Sequence, residues 1–273
     1  MSRGALLIKR PSPFVFPGGN PGFDPAHIAS KNILGSAVTH PSSGFFDLLH
    51  AQPGTYNNGT AAYAAFVSAI LGVVTTPGVN SWVSYPIPAA SYLPVTFGII
   101  FQLTASGVTN IMGGAAWRIV ASTAGMNVVS NGVSNMGTRF TVAVGVPYFF
   151  AISAQSANSN WILVNLLTGQ VQSAAAGGTG TPLSESAWTI PGSTGLTPAG
   201  TATIAAGMIS NAFMSMAQLL EWAQDPWSFW YPRKLDHSMM LRAPAVGGGF
   251  TPDFRKTLSS MGTRIGSRQS QAA

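Results

Sequence analysis

From residue 79 onward the chain reads as short apolar segments separated by turn signals. Residues 79–85 (Val-Asn-Ser-Trp-Val-Ser-Tyr) alternate apolar and polar side chains, and Phe97, Ile99, Phe101 and Leu103 keep one face apolar at period two. Residues 116–120, 139–144, 148–153, 160–165 and 203–209 are further apolar segments of strand length. Ser130-Asn131-Gly132, Gly145-Val146-Pro147 and Leu167-Thr168-Gly169-Gln170 separate them, and these are residue types that favour turns. Strands at this spacing, with almost no helical text between them, predict an all-β fold built as an antiparallel sandwich.

One segment has helical spacing inside that β text. Ser215-Met216-Ala217-Gln218 matches a capping box, in which Ser215 accepts from the third backbone N–H and Gln218 reaches back. Met216, Leu219, Leu220 and Ala223 form an apolar stripe, and Asp225-Pro226 stops the helix. Trp222, Trp227, Phe229, Trp230 and Tyr231 cluster around its end. The expectation is a short helix acting as a lid over one end of the sandwich core. An aromatic platform for a sugar is the alternative.

Both ends differ from the middle. Residues 1–19 form an extended N-terminal arm: Pro11, Pro13 and Pro17, with Pro21 just beyond, interrupt helix and ladder alike. Phe14, Val15, Phe16 and Phe23 are apolar residues that suit docking on a neighbour better than a free terminus. Residues 20–232 form the sandwich, and 233–273 a basic C-terminal arm. In that arm Phe250, Phe254, Leu258, Met261 and Ile265 recur at helical spacing. They give either an amphipathic helix over about 252–265 docked on a partner, or a disordered basic tail.

Charge sharpens this division. Only 7% of the 273 residues are charged, against about 25% in ordinary domains. Gly and Pro together number 50, about 18% against roughly 12% on average, which disfavours a helical protein. The 46% hydrophobic content excludes a disordered chain. Residues 1–10 carry +3 through Arg3, Lys9 and Arg10, residues 233–273 carry +5, and the body between them carries −2. The net charge of +6 therefore belongs to the ends. Near-neutral surfaces tend to associate, so the body is expected to be packed in an assembly and tied there by its arms.

Several classes of chemistry are unsupported. The chain has no cysteine, which rules out disulfides and thiolate zinc sites. No carboxylate occurs from Leu48 to Ser184, so neither a calcium site rich in Asp and Glu nor a two-carboxylate glycosidase site is expected. Glu221 and Asp225 stand four apart on the helix, one facing solvent and one at its stop. His27, His40, His50 and His237 lack metal-site spacing and read as loop histidines. Gly-x-Ser-x-Gly is absent, and Ala176-Gly177-Gly178-Thr179-Gly180 reads as a loop rather than a phosphate cradle. No cofactor is expected. Ala5-Leu6-Leu7-Ile8 is too short for a signal peptide. The longest apolar run, 61–74, is too short for a membrane span. The sparse basic residues do not support sequence-specific nucleic-acid binding.

The order of motifs resembles the concanavalin A-like, laminin-G-like jelly rolls of tailed-bacteriophage structural proteins. Asn20-Pro21-Gly22-Phe23-Asp24-Pro25-Ala26-His27, followed by Gly44-Phe45-Phe46-Asp47-Leu48-Leu49, resembles the opening of such domains. Residues 161–170 resemble their strand–turn–strand. Most specific is the closing order: the 203–209 strand, Ser210-Asn211-Ala212-Phe213-Met214-Ser215, a helix, and Asp225-Pro226-Trp227-Ser228-Phe229. It departs from the family pattern at Ala212, where Arg is absent, and at Gln218, where Glu is common. The resemblance covers 20–232 and implies an antiparallel jelly-roll sandwich.

The resulting expectation is a non-enzymatic phage virion protein. Capsid decoration (cement) comes first, and a head or tail accessory position second. Its partners would be major capsid or head–tail proteins and further copies of itself. Partner contacts are assigned to Arg3, Lys9, Arg10, Phe14 and Phe16 in one arm. In the other they fall on Arg242, Phe250, Phe254, Arg255, Lys256, Leu258, Arg264 and Arg268. The alternative is an adhesin that binds a host-surface glycan.

Overall fold

The computed structural model describes residues 26–40, 44–50, 52–53, 55–57, 82–114, 117–130, 133–134, 140–177, 183–190 and 202–230. Two antiparallel sheets face each other, as in a jelly-roll-like β-sandwich. The strands are β1 (Ile33–His40), β2 (Gly44–Asp47), β3 (Gln52–Pro53), β4 (Thr55–Asn57), β5 (Trp82–Tyr92), β6 (Val95–Leu103), β7 (Thr109–Gly113) and β8 (Trp117–Ser122). They continue as β9 (Gly125–Ser130), β10 (Val133–Ser134), β11 (Pro147–Ala154), β12 (Asn158–Asn165), β13 (Val171–Gly177), β14 (Leu183–Ile190) and β15 (Ala202–Ser210). The eight-stranded sheet runs β13-β12-β11-β6-β15-β1-β2-β3, and the seven-stranded sheet β10-β9-β8-β7-β14-β5-β4.

Between the sheets lies an aromatic core. Phe97 of β6 stacks on Trp117 of β8 with ring centroids 4.0 Å apart, and Tyr85 stacks on Trp188 at 4.7 Å. Two glycines of the eight-stranded sheet make room for this packing: a Cβ at Gly35 would overlap the Trp188 indole, and one at Gly207 would overlap Ile190.

The helix α1 (Met216–Gln224) forms, with both halves of its capping box present: Gln218 N donates to Ser215 Oγ and Ser215 N donates to Gln218 Oε1. Its position corrects the expectation of a lid over one end of the core. The helix and the aromatic segment behind it lie across the outer face of the eight-stranded sheet and bury a second core there. Trp222, Trp227, Phe229 and Trp230 pack with Ile100, Phe149, Ile162 and Met208. Gly98 supplies the depression, since a Cβ there would overlap the Trp222 ring. Burial on both faces explains why β11 and β15 are buried at every position and carry continuous apolar text instead of strict alternation.

Residues 140–144 are not a strand, contrary to the pattern expectation. Phe140 has φ of 60°, which breaks an extended run. Val142 is buried, Ala143 N donates to the Tyr148 hydroxyl (3.2 Å) and Gly145 N donates to Leu103 O (2.8 Å). Both ladder edges of β6 are already taken by β11 and β15, so this apolar stretch covers the core as irregular chain. Ala176 and Gly177, read as loop, instead end β13. The apolar run 61–74 and the proposed helix over 252–265 lie outside the described residues.

Candidate functional site

Polar chemistry among the described residues concentrates in three places. The first is the closing segment. Met214 N donates to Ser153 Oγ (2.7 Å), Thr96 Oγ1 lies 2.8 Å from Ser153 Oγ, and Thr96 Oγ1 donates to Ala212 O (2.7 Å). A carbonyl only accepts, so the Thr96 proton goes to Ala212 and the Ser153 proton is left for Thr96. Asn160 Nδ2 donates to Met214 O and Asn211 Nδ2 to Pro94 O. Ser210 Oγ donates to Lys31 O. The segment that most resembles a phage motif is thus stapled to β6, β11 and β12.

His27 completes this clamp. Its Nδ1 accepts from Ala29 N (3.1 Å), which caps the 3₁₀ turn Ile28–Ser30. The imidazole proton therefore sits on Nε2, which faces Ser228 Oγ at 3.1 Å, while Ser228 Oγ donates to Asp225 O at 2.7 Å. The ring also meets Trp222 and Phe229 edge-on at 5.3 and 5.5 Å. A histidine whose Nε2 already carries the proton cannot accept one from Ser228, so this Ser–His contact is structural and not a nucleophile–base pair.

The second place is the turn after β2. Asp47 is buried, its Oδ1 accepts from Leu49 N (2.8 Å) and His50 N (3.2 Å), and its Oδ2 contacts His50 Nδ1 at 2.6 Å. The His50 side chain is 43% exposed. A carboxylate on Nδ1 orients an imidazole and leaves Nε2 toward solvent. The i, i+3 spacing of Asp47 and His50 was visible in the sequence, but only the turn brings the two together. No group of three potential metal ligands forms among the described residues.

The third is Glu185 on β14. It is 5% exposed, and its carboxylate fills the space that a Cβ on Gly114 would need. Glu221 is exposed on α1, and Asp225 caps its end. Glu185 thus belongs to the seven-stranded sheet, whereas Asp47 sits at the far side of the eight-stranded sheet and Glu221 and Asp225 behind it.

Every described tryptophan side chain is buried: Trp117, Trp161, Trp188, Trp222, Trp227 and Trp230. Among the described residues the large exposed hydrophobics are aliphatic: Leu49, Val108, Val144, Leu167, Val171 and Leu220. The aromatic cluster at 222–230 is therefore core, not a sugar platform. All the residues assigned to partner contacts, from Arg3 to Phe16 and from Arg242 to Arg268, lie outside the described residues. No described helix is long and apolar enough to cross a membrane.

No family model matches the chain, and no curated protein matches it. Solved structures do. Trypanosoma rangeli sialidase matches with a TM-score of 0.52 at 14% identity, over 80% of this chain and 36% of that one. Domain 4 of AbnA, a GH43 extracellular arabinanase from Geobacillus stearothermophilus, matches in its complex with arabinotriose at TM-score 0.51 and 14% identity, over 71% of this chain and 98% of that domain. The botulinum neurotoxin serotype D binding domain matches at TM-score 0.51 and 8% identity, over 71% of this chain and 51% of that one. The chain spans about a third of the length of the sialidases it matches. At these identities the likeness establishes a β-sandwich fold shared with enzyme chains and binding domains.

This corrects the expectation that the chain is not an enzyme. That expectation rested on missing sequence signatures: paired carboxylates, metal-spaced histidines, cysteine, a nucleophile elbow and a phosphate cradle. Sialidase chains share this β-sandwich fold over about a third of their length, which points against reading the chain as a simple non-enzyme.

Proposed function

We propose that the chain is a phage virion protein whose β-sandwich is held on the particle through its terminal segments. A capsid decoration position is the first choice and a head or tail accessory position the second. The carrying observation is where interaction chemistry resides. Of the 13 Lys and Arg residues, all but Lys31, Arg118 and Arg139 lie in residues 1–10 and 233–273. Trp117, Trp161, Trp188, Trp222, Trp227 and Trp230, meanwhile, are consumed by the two cores. The stapled closing segment, whose sequence resembles the tailed-phage jelly rolls, supports the same reading.

The test is incorporation of truncated chains into particles. Removing residues 1–19 or 239–273 is expected to abolish incorporation while the sandwich still unfolds cooperatively at an unchanged temperature. If both truncations are incorporated at the normal copy number, the proposal is wrong.

A second reading, glycan binding at a host surface, is favoured by the match that covers nearly the whole of an arabinanase domain bound to arabinotriose. Specific binding on a glycan array that survives removal of both terminal segments would support it over attachment alone.

A further inference from the structure

Sheet edges present unpaired N–H and C=O groups, and proteins usually blunt them with short strands, proline or charge. Three of the four edges among the described residues follow that rule. β3 has two residues and ends at Pro53, β10 has two residues, and β4 has three. The fourth, β13, does not. It has seven residues, Val-Gln-Ser-Ala-Ala-Ala-Gly, with no charge and no proline, and spans roughly 23 Å at about 3.3 Å per residue. Among the described residues its one neighbour is β12, paired in regular register from Val164–Val171 to Asn158–Gly177.

The side chains fit a continued sheet. Val171, Ser173, Ala175 and Gly177 are exposed on one face, and Gln172, Ala174 and Ala176 are half-buried on the other. Apolar side chains flank the edge: Leu167 in the β12–β13 turn is 54% exposed and Val171 is 39% exposed. Leu220, 38% exposed, stands on α1, which packs against β12.

We infer that β13 is a docking edge for β13 of a second copy of this chain, forming an antiparallel two-fold pair that joins two eight-stranded sheets into one. The occupant follows from self-complementarity. A two-fold pair centred on Ala174 sets Ser173 opposite Ala175, Gln172 opposite Ala176 and Val171 opposite Gly177 of the other copy, so uncharged residues meet throughout and each larger one faces a small one. The absence of any carboxylate from Leu48 to Ser184 removes the like-charge repulsion that usually keeps identical edges apart.

The experiment uses the full chain in two double variants, Ser173→Lys with Ala175→Lys and Ser173→Glu with Ala175→Glu. In the two-fold register each sets like charges directly across the junction. Analytical ultracentrifugation is expected to show self-association of the wild type at about 100 µM, well above a micromolar Kd. Each variant alone should weaken that association at least about tenfold, and an equimolar mixture of the two should regain it. Recovery in the mixture also proves that both variants are folded. A wild type that stays monomeric, a Lys variant that associates like the wild type, or a mixture that does not recover overturns the inference.

Discussion

β15 and β13 belong to the same eight-stranded sheet and both are rich in alanine, yet they are built for opposite surroundings. β15 is buried at all nine positions, with the second sheet on one face and the α1 layer on the other. β13 alternates exposed and half-buried residues along its whole length and lacks a neighbour on one side among the described residues. Its alanines leave a strand edge approachable, whereas Ala202 of β15 is buried in the core between the sheets and Ala205 and Ala206 in the core under the helix. The same residue type thus serves close packing inside one molecule at β15 and, by our inference, close approach between two molecules at β13.

The contrast can be broken most severely at the covered face. Trp222→Ala is expected to lower stability by about 3–5 kcal/mol, as for other buried aromatic deletions, measured by urea unfolding. Trp222→Phe should cost clearly less, because Trp222 Nε1 has no hydrogen-bond partner among the described residues to lose. Gly98→Leu fills the depression under the same ring and should destabilise by about 1–3 kcal/mol through overpacking. Ser153→Ala leaves the Met214 N–H buried without its acceptor and should cost about 1–3 kcal/mol. Ser215→Ala removes the helix cap and should cost about 1 kcal/mol, seen as a small drop in the unfolding midpoint.

At the open edge the same measurement should barely move. Ser173→Lys with Ala175→Lys is expected to change the folding stability of the monomer by no more than about 0.5 kcal/mol, with its effect appearing in association alone. If the Lys variant instead unfolds as readily as Trp222→Ala, β13 is as tightly packed as β15 and the contrast fails.

Much of this was legible before folding. The capping box at Ser215–Gln218 and the stop at Asp225-Pro226 named their helix because both act within a few residues of sequence. The central strands β6, β11, β12 and β15 stood out through their apolar runs. β13 did not, because Val-Gln-Ser-Ala-Ala-Ala-Gly, with one large apolar residue and a run of three alanines, carries no periodic hydrophobic signal. Residues 140–144 failed in the other direction. Their apolar pattern suits a strand, but the ladder positions beside β6 were taken, and a pattern says nothing about vacancy.

The sites divide in the same way. In the sequence His50 reads as a loop histidine although Asp47 stands three residues before it, and the contact between His27 and Ser228 joins residues 201 positions apart and had no local trace. That contact also decides chemistry, because the Ala29 N–H fixes the imidazole proton on the side that faces Ser228.

By itself the sequence determined an antiparallel β-sandwich with one capped helix and the segregation of its basic residues into the ends, because turn chemistry, period-two patterning and charge are local properties of the chain. The tertiary structure alone decided that the helix covers a sheet face, that the tryptophans with described side chains are core, and that one long edge lacks a second neighbour among the described residues. Those outcomes depend on which distant strands occupy each ladder position and each face, and no local pattern encodes that competition.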